Sequence, residues 1–143
     1  MKKIIKLLFM YMLLSACTPK AQSITYGADM CHFCKMNIVD VQHASEIVTK
    51  KGKVFKYDAI ECMLNSEEHQ APEKNALYLT NVYGQPEILV NATKVTYLIS
   101  ERLPSPMGAN LTAFETESAA LKAKEELGGE IYSWSALLTR FSK

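Results

Sequence analysis

Residues Asp29 to Met36 read Asp-Met-Cys-His-Phe-Cys-Lys-Met, gathering two of four cysteines, two of seven methionines and one of three histidines in a 143-residue chain. Thiolates and thioethers are soft, polarizable donors, so this spacing suits a soft metal ion or thiol redox chemistry. Cys31 and Cys34 form Cys-x-x-Cys, which serves a structural disulfide, a thiol oxidoreductase, a zinc half-site or a soft-metal site. Lys35 follows the second cysteine where a c-type haem site needs histidine. A thioredoxin-like centre needs the pair where a strand enters a helix, because the helix N-terminus lowers the thiol pKa; residues 36–40 instead lead through a loop toward strands. Structural zinc usually takes four Cys or His ligands, and with Cys17 read as a lipidation site only Cys62 and scattered histidines remain beyond this cluster. Met36 weighs toward copper, since Cys-x-x-Cys-x-Met aligns two thiolates and a thioether on one tight loop and such a set selects Cu(I). A Cys31–Cys34 disulfide would compete with the metal in an oxidising compartment.

Met107 is the second candidate donor. It stands in Pro104-Ser105-Pro106-Met107-Gly108, where two prolines stiffen the chain and Gly108 permits a sharp turn. The candidate donors are therefore Cys31, Cys34, Met36 and Met107, the last of which reads equally as an apolar plug into the core. Met30, His32 and Cys62 are further possible ligands. Cys62 and Met63 extend the apolar face of a helix with Ala59 and Ile60, which reads first as a buried core thiol.

These residues need a scaffold. Runs at 43–49 and 54–57, joined by Lys50-Lys51-Gly52-Lys53, predict a hairpin. Asp58 with Glu61 three residues on predicts an N-cap and a helix through about Glu68, and 76–83 reads as the next strand. The order repeats in the second half: strands at 93–101 and 110–114, a helix capped by Thr116 and stopped at Gly128-Gly129, and a short strand from Glu130. Trp134, Leu137, Leu138 and Phe141 are spaced along one face of a closing helix over 133–141. The fold class is α+β: two β-β-α-β units, residues 26–90 and 91–143, forming one small body with a C-terminal helix.

The N-terminus assigns the compartment. Lys2, Lys3 and Lys6 precede a short apolar run and small residues, the pattern of an export signal over residues 1–16. The apolar stretch is far below the roughly 20 residues that span a bilayer. Leu14-Ser15-Ala16-Cys17 resembles a bacterial lipobox, making Cys17 the lipidated mature N-terminus, and residues 17–25 then read as a polar tether. Thr18 after the cysteine, in place of Asp, favours the outer membrane over the inner one. Without the leader the chain carries thirteen basic against fifteen acidic residues, a net of about −2. That balance and the lack of a basic run or a GxxxxGK or GxGxxG loop argue against nucleic-acid and nucleotide partners.

With these residues in view, the chain resembles the NosL family of lipoprotein copper chaperones. The resemblance runs through Leu14-Ser15-Ala16-Cys17, Cys31-His32-Phe33-Cys34-Lys35-Met36, Glu46-Ile47-Val48-Thr49, Tyr57-Asp58-Ala59-Ile60-Glu61-Cys62-Met63 and Pro104-Ser105-Pro106-Met107-Gly108-Ala109-Asn110. It implies a Cu(I)-binding protein of two β-β-α-β units, similar in fold to part of organomercurial lyase. It further implies membrane anchoring toward the periplasm and delivery of copper to apo nitrous-oxide reductase and its maturation machinery, without catalytic turnover. Family members often carry a single cysteine followed by Gly-Met; here a full Cys-x-x-Cys precedes Lys35-Met36, while Met107 matches the family pattern, so with the resemblance the implied ligand set is Cys34, Met36 and Met107, with Cys31 next. Two alternatives from other classes stand beside this reading. One is an exported thiol-disulfide oxidoreductase using Cys31 and Cys34; the other is a lipoprotein interaction module with a structural disulfide.

Overall fold

A computed structural model describes residues 18–142. The lipobox and Cys17 lie outside the described residues. Strands β1 (Ser45–Thr49) and β2 (Val54–Tyr57) form the expected hairpin, closed where the Lys53 carbonyl accepts from the Thr49 amide at 2.8 Å. Gly52 takes a φ of 81° in the turn, a conformation that glycine adopts without a Cβ clash. A one-and-a-half-turn helix α1 (Ile60–Leu64) follows, then β3 (Asn75–Val82) and β4 (Gln85–Asn91). These strands make an antiparallel sheet in the order β2-β1-β3-β4. In β1, Ser45 through Val48 are all buried, because the strand sits inside the sheet with α1 against it.

The second half gives β5 (Thr96–Ile99), β6 (Leu111–Phe114), helix α2 (Glu117–Leu127), β7 (Glu130–Tyr132) and helix α3 (Trp134–Phe141). Its strands pair antiparallel in the order β6-β5-β7. Thr116 caps α2 through Ala119 N–H at 3.2 Å, and Gly128 ends it with a φ of 70°. Ser133 caps α3 in the same way, and Leu137 is buried with Trp134, Leu138 and Phe141 packed around the core, as the spacing predicts.

The two halves share one interior. Ile47, Tyr57, Ile60, Met63 and Val82 from the first half pack in a single cluster with Tyr97, Leu111 and Leu137 from the second. The sheets are also stitched by Tyr83 N–H donating to Ala113 O at 2.8 Å. His43 adds a buried bridge, with Nε2 at 3.0 Å from Thr112 Oγ1 and Nδ1 at 2.9 Å from Asp40 Oδ1.

Four expectations need correction. Asp58 is not the helix cap: Ala59 occupies that position and no side chain caps it, while Asp58 itself is buried. The helix stops at Leu64 rather than Glu68, because Asn65 Nδ2 bonds Glu61 O and Ser66 Oγ bonds Met63 O, polar side chains competing for the carbonyls that further turns would use. Strand β4, unexpected from the sequence, extends the first unit to β-β-α-β-β, and Pro86 is tolerated because an edge strand can lack an N–H. The packed body begins near Gln22 rather than Tyr26. Gln22 N–H donates to Glu46 Oε1 at 3.0 Å, Lys56 Nζ to Ser23 O at 2.7 Å, and Ile24 is part of the core.

Candidate metal centre

Cys31 and Cys34 sit at the tip of a narrow loop between Asp29 and Ile38. Its stem is closed by Ile38 N–H to Asp29 O at 2.9 Å and by a Met30–Asn37 bridge. Its tip is closed by Cys31 N–H to Met36 O at 2.8 Å and Lys35 N–H to Cys31 O at 3.1 Å. Lys35 carries a φ of 64°, the left-handed residue that reverses the chain there. Lys56 O, on β2, accepts from His32 N–H at 2.8 Å, so the loop lies along the sheet edge. The reversal turns Cys31 into the core while leaving Cys34 half-buried.

Cys62 reaches the same point from α1. The Sγ atoms of Cys31, Cys34 and Cys62 all lie within 4.8 Å of one another, and all three are free thiols. Hydrogen bonding polarises this triad. The Cys31 thiol is held down to about 4, chiefly by the Cys62 thiol donating to it, with help from the Asp58 and Cys34 backbone amides and against the opposing effect of burial. Cys34 Sγ stands higher than usual because burial disfavours its thiolate. Cys62 is pushed up strongly, first by its hydrogen bond to Cys31 and then by burial. One anionic sulfur flanked by two thiol donors is a compact arrangement in which a soft cation can replace the shared protons.

The predicted donors divide in two. The cluster unites Cys31 and Cys34 with Cys62, which the sequence offered only as a further possibility. Met30 and Met36, in the same loop, are each 58% exposed, and Met107 is 40% exposed. Met107 lies at the apex of the turn that Gly108 N–H closes onto Ser105 O at 3.0 Å. His32 points elsewhere: Nε2 is 2.9 Å from Glu68 Oε1, and the ring meets Phe55 edge-on with centroids 4.7 Å apart. Glu61, read from sequence only as half of a capping box, bonds Ser105 Oγ instead. Two sequence signals pointed to Cys62: with Cys17 assigned to the lipobox it is the remaining cysteine outside the loop, and it stands in the Tyr57–Met63 segment that carries the family resemblance.

Fold and site together define a small α+β protein whose core brings three cysteine sulfurs into a cluster able to hold a metal ion. The family model for NosL matches residues 22–140, and the chain belongs to the NosL family. Among solved structures, the chain is similar to the crystal structure of the copper chaperone NosL from Shewanella denitrificans. The TM-score is 0.68 at 20% identity, over 81% of this chain and 93% of that one, a likeness that speaks to the fold. No protein of curated function matches the sequence.

Proposed function

We propose that this protein is a membrane-anchored Cu(I) chaperone. The observation that carries the reading is the three-thiol cluster of Cys31, Cys34 and Cys62 on a NosL-family fold. Soft sulfur donors favour Cu(I) over harder cations, and Met36 and Met107, both exposed residues, supply weaker thioether ligands. Binding and release proceed by ligand exchange: an incoming acceptor group takes one coordination position at a time, starting from the half-buried Cys34. No bond of a substrate is made or broken, so the protein is a carrier and not an enzyme. Cys17 provides the lipid anchor, on the periplasmic side of the membrane, and the recipient is apo nitrous-oxide reductase with its maturation machinery, as the family resemblance implies. The oxidoreductase alternative fits less well, since it needs an exposed nucleophile at Cys31 and that residue is fully buried.

The test has two arms. Reduced protein is titrated with Cu(I) against a chromophoric chelator, and should hold one Cu(I) tightly and Zn²⁺ weakly. In the source organism, gene deletion should lower nitrous-oxide reduction most when copper is scarce, with reductase polypeptide levels near normal. Zinc preference in the first arm would overturn the copper reading. Undiminished nitrous-oxide reduction in the second would overturn the recipient alone.

A further inference from the structure

The turn that carries Met107 is fastened to the helix that carries Cys62 by one buried side chain. Glu61 directly precedes Cys62 in α1 and is 4% exposed. Its Oε1 accepts from Ser105 Oγ and, over a longer 3.4 Å, from Ala109 N–H. Those two donors bracket Met107: Ser105 opens the turn and Ala109 leaves it. Ser105, Pro106 and Gly108 match the residue preferences at the first, second and fourth positions of a type I turn, with Met107 third and Gly108 at a φ of 77°. Pro104 and Pro106 fix φ on either side of Ser105. The bonds from Ser105 and Ala109 to Glu61 then hold the turn against α1 on both sides of Met107.

A carboxyl at this depth is not explained by helix capping, because Ala59 is the cap residue and no side chain bonds there. Nor is it explained by packing. Glu61 Oε2 has no partner among the described residues, and a leucine would fill the volume without burying an unsatisfied oxygen. The helix holds its own end of the link: Asn65 donates to Glu61 O from both its backbone N–H, at 3.0 Å, and its Nδ2, at 2.8 Å. Ala109, at the other end, packs against the core cluster that contains Cys31 and Cys62.

We infer that Glu61 is a positioning residue: it fixes the Met107 thioether relative to the Cys62 sulfur, so that Cu(I) meets thioether and thiolates in one preset arrangement. Glu61 itself does not touch the metal. The inference rests on the proposed Cu(I) function, with Met107 as a ligand.

A double-mutant cycle tests it on the full-length chain, reduced and detergent-solubilised, with Cu(I) affinity read by chelator competition. Glu61→Ala should weaken Cu(I) binding by about tenfold, the lower range for a residue that orients a ligand. In a Met107→Leu background the same change should cost less than about twofold, because no thioether is left to position. Glu61→Gln keeps an acceptor in place and should recover most of the affinity. Should Glu61→Ala fail to fold, Ser105→Ala, which removes one of the two bonds, takes its place in the cycle. Equal losses in both backgrounds, or no loss in either, would overturn the positioning role. A wild-type chain without Cu(I) affinity would overturn the chaperone reading itself, whereas tight wild-type binding with an additive cycle overturns only the role of Glu61.

Discussion

Replacement of Cys62 by alanine separates a ligand from a core thiol. An ion about 2.3 Å from each of three sulfurs holds them about 4.0 Å apart. The sulfurs here already lie within 4.8 Å, so each needs to close in by about 0.5 Å at most on the same bond length. A site so nearly formed loses little to reorganisation, and removing one of its three anionic donors should cost at least about 100-fold in Cu(I) affinity, or about 2.8 kcal/mol. The stability cost is smaller. Cys62 is 1% exposed, and truncating a side chain of that size in a packed core costs about 1–2 kcal/mol. Alanine is preferable to serine here, because a buried hydroxyl without a partner brings its own penalty of about 1–3 kcal/mol. Chelator competition on wild type and Cys62→Ala, with thermal melts of both metal-free proteins, gives the two quantities separately. X-ray absorption of the Cu(I) forms should show one fewer sulfur neighbour in the variant. If Cys62→Ala keeps wild-type affinity and loses only melting temperature, the third thiol is packing and the three-sulfur site is refuted.

Three further outcomes follow from the structure. His32→Asn should leave Cu(I) affinity within about twofold, because the imidazole is bonded to Glu68 outside the thiol cluster; a tenfold loss in the competition assay would place it in the coordination shell. Glu46 is fully buried, and burial raises its carboxyl above the ordinary value of 4.5. Between the unfolded and folded values the native state holds the extra proton, so stability falls as pH rises through that window. Glu46→Gln should therefore raise the melting temperature at pH 7, with the gain disappearing below the unfolded value; a gain of the same size at both ends of a pH series of melts would contradict this. Cys17→Ala should move the exported protein from the membrane to the soluble fraction without changing Cu(I) affinity, and equal partitioning of both forms on fractionation would end the anchor assignment.

Elements defined by local chemistry were legible in the sequence. The Gly52 turn announced β1 and β2, the Thr116 cap and Gly128 stop bounded α2, and the spacing of Trp134, Leu137, Leu138 and Phe141 gave the inner face of α3. Strand β4 was not legible in the sequence, because its place at the sheet edge is decided by pairing with β3 rather than by any local turn or periodicity signal. The end of α1 was hidden for a similar reason, since Asn65 and Ser66 are weak breakers until their side chains bond back to the helix. The site divided along the same line. Cys31 and Cys34 advertise themselves by spacing. Cys62 joins them only because α1 packs across β1 and β2, and no periodicity within a helix of five residues encodes that. Glu61 was misread because the pattern Asp-x-x-Glu also fits a capping box, and its bond to Ser105 spans 44 residues.

The clamp on Gln22 and Ser23 has a consequence for how far this protein can search. Glu46 and Lys56 hold those two residues against the first sheet, and the same Lys56 Nζ also bonds Asp29 Oδ2 at 2.6 Å, at the root of the thiol loop. Only residues 18–21 separate Cys17 from the clamp, so the chain between Cys17 and Gln22 spans about 18 Å at full extension. With Cys17 in the bilayer as proposed, that is a leash and not an arm: the thiol loop is confined to a thin layer above the membrane. Confinement of this kind turns a three-dimensional encounter into a nearly intramolecular one, with effective concentrations in the millimolar range for an acceptor held in the same layer. An acceptor free in solution would gain nothing from it.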